Sequence, residues 1–410
     1  MTISPLAAIP DDWNRKGLPA WSFFSTEMLE AEKELLFRSH WQLVCHVSDI
    51  PDTGDFMTLD VVGERALVVR DKDGTVRAFH NLCRHRGSRV VADERGTCKS
   101  AIICPFHGWA YNLDGTLRGA AQPQTLPEMD SQEMGLKPVE MDICHGFIFV
   151  RFKPGPQPAM SQILARFKDE LAQYDLEDIQ PSGDGFYAST IPANWKCVRD
   201  VDNEGYHVAV AHPGLHDLYG SAYHDEPFTN GTSRSLGGFR AGPGRFWSVR
   251  NYKKILKAPD SLDDAHKEAW LYVGIFPNLV LGFYPDQVIF YHEFPQQVGQ
   301  TIQRSASYKR GDEDRRMRAA RYLSMRIDRI TSKEDEQLIE WTWEAAFSSG
   351  FDGIILSDLE YGVHSYHQAL RGLFPVLLGD EPPEGTLAAQ NDALLKKAQN
   401  SGQRVGRALA

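Results

Sequence analysis

Two groups of side chains in this 410-residue chain have the types and spacing to hold metal. The first lies in "CRHRGSRVVADERGTCKSAIICPFHGW", residues 83–109, as Cys83-x-His85 and, eighteen residues on, Cys104-x-x-His107. Two thiolates and two imidazoles could bind one tetrahedral zinc. They could equally bind a two-iron cluster, with both cysteines on one iron and both histidines on the other. Each half offers one Cys and one His, which suits a cluster clamped between two loops; zinc fingers more often pair Cys with Cys and His with His. Cys98 falls inside the spacer with no histidine at the right offset and reads as structural. The second group is in "DNEGYHVAVAHPG", residues 202–214: Glu204, His207 and His212, with His216 a rival donor and Asp200 and Asp202 close by. A histidine pair alone is a weak signal, because histidine also satisfies core hydrogen bonds. Five residues of regular helix turn through about 500°, so the two rings would diverge by roughly 140°. They reach one metal only if the helix widens, as at a π-bulge, or ends between them. Pro213 is placed to end it.

The elements that must position these donors can be read coarsely. Residues 25–41 predict a helix capped by Ser25 or Thr26, with Met28, Ala31 and Leu35 on one face. From about 42 to 152 short β segments such as "ALVVR" and "GFIFVRF" alternate with the turns "DKDG" and "NLDG", as in a small antiparallel β domain. "FKPGPQPAM", 152–160, is a Pro/Gly-rich boundary to a mixed α+β region with a hairpin in "LVLGFYPDQVIFYHEF", 279–294, and helices after about 312. The polar tail beyond Gly379 reads as loosely held. The expected division is therefore 1–41 (an N-terminal helical segment packing on the catalytic domain), 42–155 (cluster domain), 156–378 (second metal domain) and 379–410 (tail).

A 2-His-1-carboxylate site needs an acid from elsewhere in the chain. "TSKEDEQLIEWTWEAAFSSGF", 331–351, predicts a helix opened by a Thr331/Glu334 capping box and closed at Gly350. On it Asp335, Leu338, Ile339, Thr342 and Ala346 share one face, while Glu336, Gln337, Glu340 and Glu344 point away. Asp335 is then either a first-turn acid complementing the helix dipole or the metal carboxylate. Asp352 and Asp358 are the alternatives.

Composition narrows the class. The apolar share of 42 %, with 9 Trp, 14 Tyr and 21 Phe, supports a substantial core. A net charge of −11 with no strongly basic stretch argues against nucleic acid or an anionic membrane as partner. The N-terminus lacks a signal-peptide pattern, and no uncharged apolar run approaches the roughly 20 residues that span a bilayer. The expected location is the cytoplasm, with the six cysteines as free thiols or metal ligands. There is no dinucleotide fingerprint, so electrons from NAD(P)H would have to arrive through another protein.

The Cys-x-His…Cys-x-x-His pattern with its trailing "GWAY" and "NLDG" resembles the Rieske motif over residues 42–152. "NWKCVRDVDNEGYHVAVAH" resembles the iron-site motif of Rieske non-haem iron oxygenases, in the terminal oxygenase (alpha) subunit. The resemblance implies an α+β fold: an N-terminal Rieske β domain and a C-terminal helix-grip-like catalytic domain with an antiparallel sheet. It implies a 2Fe–2S cluster on Cys83, His85, Cys104 and His107, and a mononuclear Fe(II) on His207, His212 and Asp335 as the family's acidic helix start. It further implies a homotrimer in which a carboxylate three positions before the first iron histidine links a cluster ligand of one subunit to an iron ligand of the next. That residue is usually Asp; here it is Glu204, which on a helix would share a face with His207. Glutamate there, and "SDLEYGVHSYHQALRG" at 357–372, resemble the quaternary-ammonium branch that includes betaine demethylases and carnitine monooxygenase. His364 and His367 read as structural. Asp200 stands where many members carry Asn.

The implied reaction is monooxygenation by O₂, with electrons from a separate reductase, directly or through a ferredoxin. Two small-molecule substrate classes compete. One is a betaine-type quaternary ammonium compound, demethylated with release of formaldehyde; the other is an aromatic acid undergoing ring hydroxylation. An electron carrier with an inactive iron site is the non-enzyme reading. For a methylammonium group the candidate aromatic cage is Phe246, Trp247, Tyr252, Trp270, Tyr272, Phe283, Tyr284 and Tyr291, each of which could instead be core. Arg240, Arg245 or Arg250 could hold a substrate carboxylate.

Overall fold

The computed structural model describes residue 9 and residues 13–126, 128–311, 313–351 and 353–401. The chain forms two compact units, 33–162 and a second made of 1–32 with 163–410.

The smaller unit is built mainly of β strands. Strands β1 (Gln42–His46), β2 (Asp55–Val61), β3 (Glu64–Arg70), β4 (Val76–His80) and β5 (Arg95–Thr97) are followed by β6 (Ile102–Ile103), β7 (Ala110–Tyr111), β8 (Leu117–Gly119), β9 (Glu140–Cys144) and β10 (Phe147–Arg151). They build three antiparallel sheets, ordered β1-β10-β9, β4-β3-β2-β5 and β6-β7-β8. The turn "DKDG" sits between β3 and β4, where the Gly74 N–H donates to Asp71 O at 3.0 Å. A core of Phe56, Leu67, Val69, Phe79, Ile102 and Trp109 closes around Cys83 and Cys104.

The larger unit holds a seven-stranded antiparallel sheet. Its strands are β11 (Gln180–Ile191), β12 (Tyr223–Thr229), β13 (Thr232–Gly238), β14 (Ala269–Ile275), β15 (Leu279–Phe283), β16 (Val288–Gln297) and β17 (Gln300–Lys309), in the order β11-β17-β16-β15-β14-β13-β12. The expected hairpin is β15/β16, in register from Leu279↔His292 to Phe283↔Val288. The helices that matter here are α1 (Thr26–Glu32), α2 (Trp195–Asp202), α3 (Val208–Ala211), α4 (Pro213–Tyr219), α5 (Arg315–Ala345), α6 (Tyr361–Leu373) and α7 (Leu387–Ser401). Val208, Leu215, Leu218 and Tyr219 from α3 and α4 share a core with Trp270 and Tyr284 of the sheet side and Ala320, Leu323 and Ile327 of α5.

Three sequence expectations change. The first helix does not run to 41: after Glu32 the chain makes a π-helical turn, Lys33–Phe37. Its wider winding shifts the phase, so Leu36 and Phe37 are buried and Leu35 is exposed. The helix expected to begin at Thr331 begins at Arg315, capped by the Asp314 side chain, which accepts the Met317 N–H at 2.7 Å. Thr331 and Glu334 are therefore interior residues and cap nothing. The tail is ordered in part, as α7, anchored by buried Leu387 and Asn391. None of the six cysteines is in a disulfide. Among the described residues no helix is long and apolar enough to cross a membrane.

Candidate functional site

The four donors of the first motif stand on two loops with the same turn. The Gly87 N–H donates to Cys83 O at 2.9 Å, and the Gly108 N–H donates to Cys104 O at 3.0 Å. Both glycines have φ +71°, and a Cβ added at either would meet nothing within 4 Å, so the left-handed backbone rather than space requires glycine. Cys83 and Cys104 are 4 % and 2 % exposed, whereas His85 and His107 face outward with ring centroids 4.6 Å apart. His85 stacks on Trp109 at 5.1 Å, which holds its ring plane. The Tyr111 hydroxyl lies 3.2 Å from Cys83 Sγ and accepts the Arg84 N–H at 3.0 Å. Burial pushes the Cys83 thiol up, so its thiolate needs a cation beside it. Among the described residues, no three of these four donors lie within 4.8 Å of one another. One tetrahedral zinc would gather them more tightly than that; two irons would not.

The second site is assembled from α2, α3 and α5. Asn194 caps α2: its Oδ1 accepts the Lys196 N–H at 3.0 Å, and its Nδ2 donates to Phe23 O and Val298 O. Buried Glu32, at the end of α1, receives Lys196 Nζ at 2.6 Å and Trp195 Nε1 at 2.8 Å. Helix α2 stops at Asp202, and the next helix, α3, is only four residues long, with His207 at its N-cap and His212 at its C-cap. The helix thus ends between the histidines, the second of the two geometries that the spacing allows. Their Nε2 atoms face each other at 3.1 Å.

Asp335, on α5, completes the group: its Oδ1 lies 2.8 Å from His212 Nε2 and 3.6 Å from His207 Nε2. Among the described residues this is the one set of three or more His, Cys, Asp or Glu donors within 4.8 Å of one another, and His216 is outside it. Asp335 Oδ1 is buried yet makes no aligned hydrogen bond. The outer ring nitrogens are committed: His207 Nδ1 donates to Glu204 Oε1 at 2.5 Å and His212 Nδ1 to Glu334 Oε2 at 2.9 Å. With Nδ1 the fixed donor, both Nε2 atoms and the unbonded carboxylate oxygen face one space that favours positive charge, a proton on Nε2 or, once that proton is displaced, a metal ion. This is a donor set that fits a cation, with outer carboxylates fixing the tautomers. The electrostatics agree. Burial opposes charge on His207, yet Asp335 and Glu204 outweigh it and push its pKa up to about 10. Asp335 is held below the usual carboxylate range by both histidines despite burial.

Several expectations are corrected here. Glu204 is not on a helix with His207 but in the link between α2 and α3. There its Oε2 accepts the backbone N–H groups of Tyr206 and His207, the latter at 3.2 Å. The neighbouring Gly205 lets the backbone pass the Tyr223 ring, 2.1 Å from where a Cβ would sit. Asp335 lies deep inside α5, far from its N-terminus, so a helix-dipole role is removed. Glu336 does not point away; it lines the cavity beside the site. Asp200 is engaged by His367 Nε2 at 2.8 Å, and Asp202 by Arg199 at 3.1 Å. Asp358 pairs with Arg15, and Asp352 lies outside the described residues. The sequence reading missed Glu334 as a partner of His212. Its position one residue before Asp335 was the available signal, obscured by the apparent capping box.

A cavity of about 850 Å³ is lined by His207, His212 and Asp335, and by Tyr219, Tyr223, Tyr272, Tyr284 and Tyr291. Of the expected cage only Tyr272, Tyr284 and Tyr291 reach it; Tyr252, Trp270 and Phe283 are core, and Phe246 and Trp247 lie on the surface. Arg240 and Arg245 pair with Asp217, and neither they nor Arg250 line the cavity, whereas Arg326 and Arg329 do.

Comparison with known proteins matches residues 40–130 to the Rieske [2Fe-2S] domain, and residues 169–374, half of the chain, to the ring hydroxylating alpha subunit (catalytic domain). The chain is 28 % identical over 391 residues to the carnitine monooxygenase oxygenase subunit of Escherichia coli (strain K12), covering 91 % of this chain and 99 % of that protein. It is 34 % identical over 200 residues to the glycine betaine monooxygenase oxygenase subunit of Pseudomonas aeruginosa (strain UCBPP-PA14), covering 48 % and 45 %. The solved structure of a quaternary ammonium Rieske monooxygenase superposes with a TM-score of 0.74 at 23 % identity, over 88 % of this chain and 98 % of that one.

Proposed function

Since this chain belongs to the ring-hydroxylating alpha subunits, Rieske-type oxygenases with a 2Fe–2S domain and a mononuclear iron domain, we propose that it oxidises an N-methyl group of a small quaternary ammonium compound. The observation that carries the reading is the cavity itself: six tyrosines, Tyr187 with Tyr219, Tyr223, Tyr272, Tyr284 and Tyr291, line the space beside His207, His212 and Asp335. Aromatic faces attract a methylammonium group by about 0.5–2 kcal/mol per contact. The relatives that act on carnitine and glycine betaine support the same class.

In this reading Cys83, His85, Cys104 and His107 hold the cluster, and His207, His212 and Asp335 hold the iron. The iron, when bound, supplies activation of O₂ with electrons that a reductase delivers through the cluster. The chain's own residues do the rest. Glu204 and Glu334 keep protons on the two Nδ1 atoms, so both Nε2 atoms stay available as ligands. The tyrosine walls orient the methyl group and exclude water. One oxygen atom enters the C–H bond and the other leaves as water, using two electrons and two protons. The hydroxymethylammonium product then breaks its C–N bond, giving the tertiary amine, formaldehyde and a proton. Glu204 is also the bridge to a neighbouring subunit's cluster in a head-to-tail homotrimer, a contact type that closes into a ring.

The test is substrate-dependent O₂ uptake by enzyme reconstituted with a reductase, offering N-methylated ammonium compounds and aromatic acids side by side. Formaldehyde matching O₂ consumed is the expected result. Uptake with aromatic acids alone would replace this reading with ring hydroxylation.

A further inference from the structure

The cavity lining carries several charged groups besides the three metal donors, among them Asp202, Asp328, Arg326, Arg329, Lys333 and Glu336. Asp328 lines the cavity from α5, seven residues before Asp335. Seven residues advance about 10 Å and return to within about 20° of the same direction. The two carboxylates therefore share one face of the helix, about 10 Å apart along its axis. Tyr284 Oη donates to Asp328 Oδ1 at 3.1 Å. Behind it the Tyr272 hydroxyl lies 3.0 Å from that of Tyr284, and the Tyr219 hydroxyl 3.0 Å from that of Tyr272. Tyr284 is locked by stacking on Trp270 at 4.0 Å and 6°. Among the described residues no Lys, Arg or His is within ion-pair distance of Asp328; Arg329 and Arg326 are exposed residues of the cavity lining.

A carboxylate enclosed by protein is ordinarily paired, because leaving its charge uncompensated is costly. Here the side not held by Tyr284 meets the cavity. We propose that Asp328, braced by Tyr284, is the counter-ion for the cationic head group of the substrate, and so makes the site select a positive charge over a neutral group of the same shape. The inference rests on the quaternary-ammonium reading and adds the residue that enforces it. Burial pushes the Asp328 pKa up to about 8. A bound cation favours the ionised form, so affinity for a cation should rise with pH up to about 8 and then level off. The other groups around it are the Tyr284, Tyr272 and Tyr219 hydroxyls and Arg329. Asp286 is also near but is held by Tyr252 and Ser324. Asp202 also lines the cavity, so assignment rests on the variant and not on the wild-type profile alone.

The experiment is calorimetric binding to the purified holoenzyme, anaerobic and without reductase. The probes are trimethylammonioacetate and its isostere 3,3-dimethylbutanoate, which differ only in the charged nitrogen. Wild type should prefer the ammonium compound by at least about tenfold, more so at pH 8 than at pH 6. Asp328→Asn should bring the two within about threefold and flatten the pH dependence, and Asp328→Glu should keep the preference. An Asp328→Asn enzyme with normal Rieske absorbance and iron content that still prefers the cation would overturn the proposal. If that variant loses its metals, Tyr284→Phe reads the same contact: the pH at which affinity rises should move upward, and an unmoved rise overturns the idea. The two readings fail separately. Cation selectivity lost in Asp328→Asn without any demethylation by wild type keeps the subsite and discards the reaction. Demethylation with equal binding of both probes does the reverse.

Discussion

Replacing Glu334 by alanine should weaken iron binding without touching the cluster. The side chain is 33 % exposed on α5 and accepts the His212 Nδ1 proton at 2.9 Å. Without it the imidazole can take the other tautomer, placing its proton on the nitrogen that faces His207 at 3.1 Å. Loss of an outer carboxylate typically costs about 10- to 100-fold in metal affinity, or about 1.4–2.7 kcal/mol. Partial exposure and unstrained length place Glu334 at the lower end, about tenfold. Glu204, 10 % exposed and 2.5 Å from His207 Nδ1, belongs nearer the upper end. The assay is competition for mononuclear iron against a graded chelator, with Rieske absorbance as the internal control. Glu334→Gln, whose amide oxygen still accepts, should recover most of the affinity. Iron retention by Glu334→Ala equal to wild type would refute the argument that this carboxylate sets the tautomer.

Other expectations follow from the same geometry. Purified protein should be brown with about three irons per chain; Cys83→Ser should remove the cluster signature, and His212→Ala should keep it while abolishing turnover, both read by metal analysis and visible spectra. Glu204→Gln should retain both metals, yet a pre-reduced sample should hold its cluster electron when substrate and O₂ are added. Glu204→Asp should restore reoxidation only in part, and a wild-type rate in the Gln variant would move the bridge elsewhere. Away from the site, Arg234 and His266 hold Glu170 down to about 2 although burial pulls it upward. Its stabilisation is full above the unfolded value near 4.5 and is lost as pH falls toward 2. Glu170→Gln should cost roughly 2 kcal/mol at pH 7 and almost nothing at pH 2, measured by denaturant unfolding; a pH-independent difference would contradict this.

The candidate donors of the two proposed metal sites were legible because their chemistry is local. Cys83-x-His85 and Cys104-x-x-His107 each fit within one turn, and the five-residue interval from His207 to His212, with Pro213 after it, limited the backbone to two geometries. Helical phase put Asp335 on the buried face and left its role open between dipole acid and ligand; the family resemblance pointed to the ligand, and the helix start inferred for it was wrong.

What the sequence determined by itself is the inventory: which side chains can bind metal, and the alternation of β segments followed by mixed helices and strands. Tertiary structure decided the rest. Thr331 and Glu334 have the spacing of a helix cap, but only packing of Ala320, Leu323 and Ile327 against the sheet extends the helix back to Arg315 and turns Glu334 into a partner of His212. Tyrosines on strands look alike in sequence whether they fill a core or wall a cavity. Trp270 and Tyr252 are core, Tyr284 belongs both to that core and to the cavity wall, and Tyr272 reaches the cavity, because a cavity is a property of how several elements fail to fill the volume between them. Backbone periodicity carries no information about that volume.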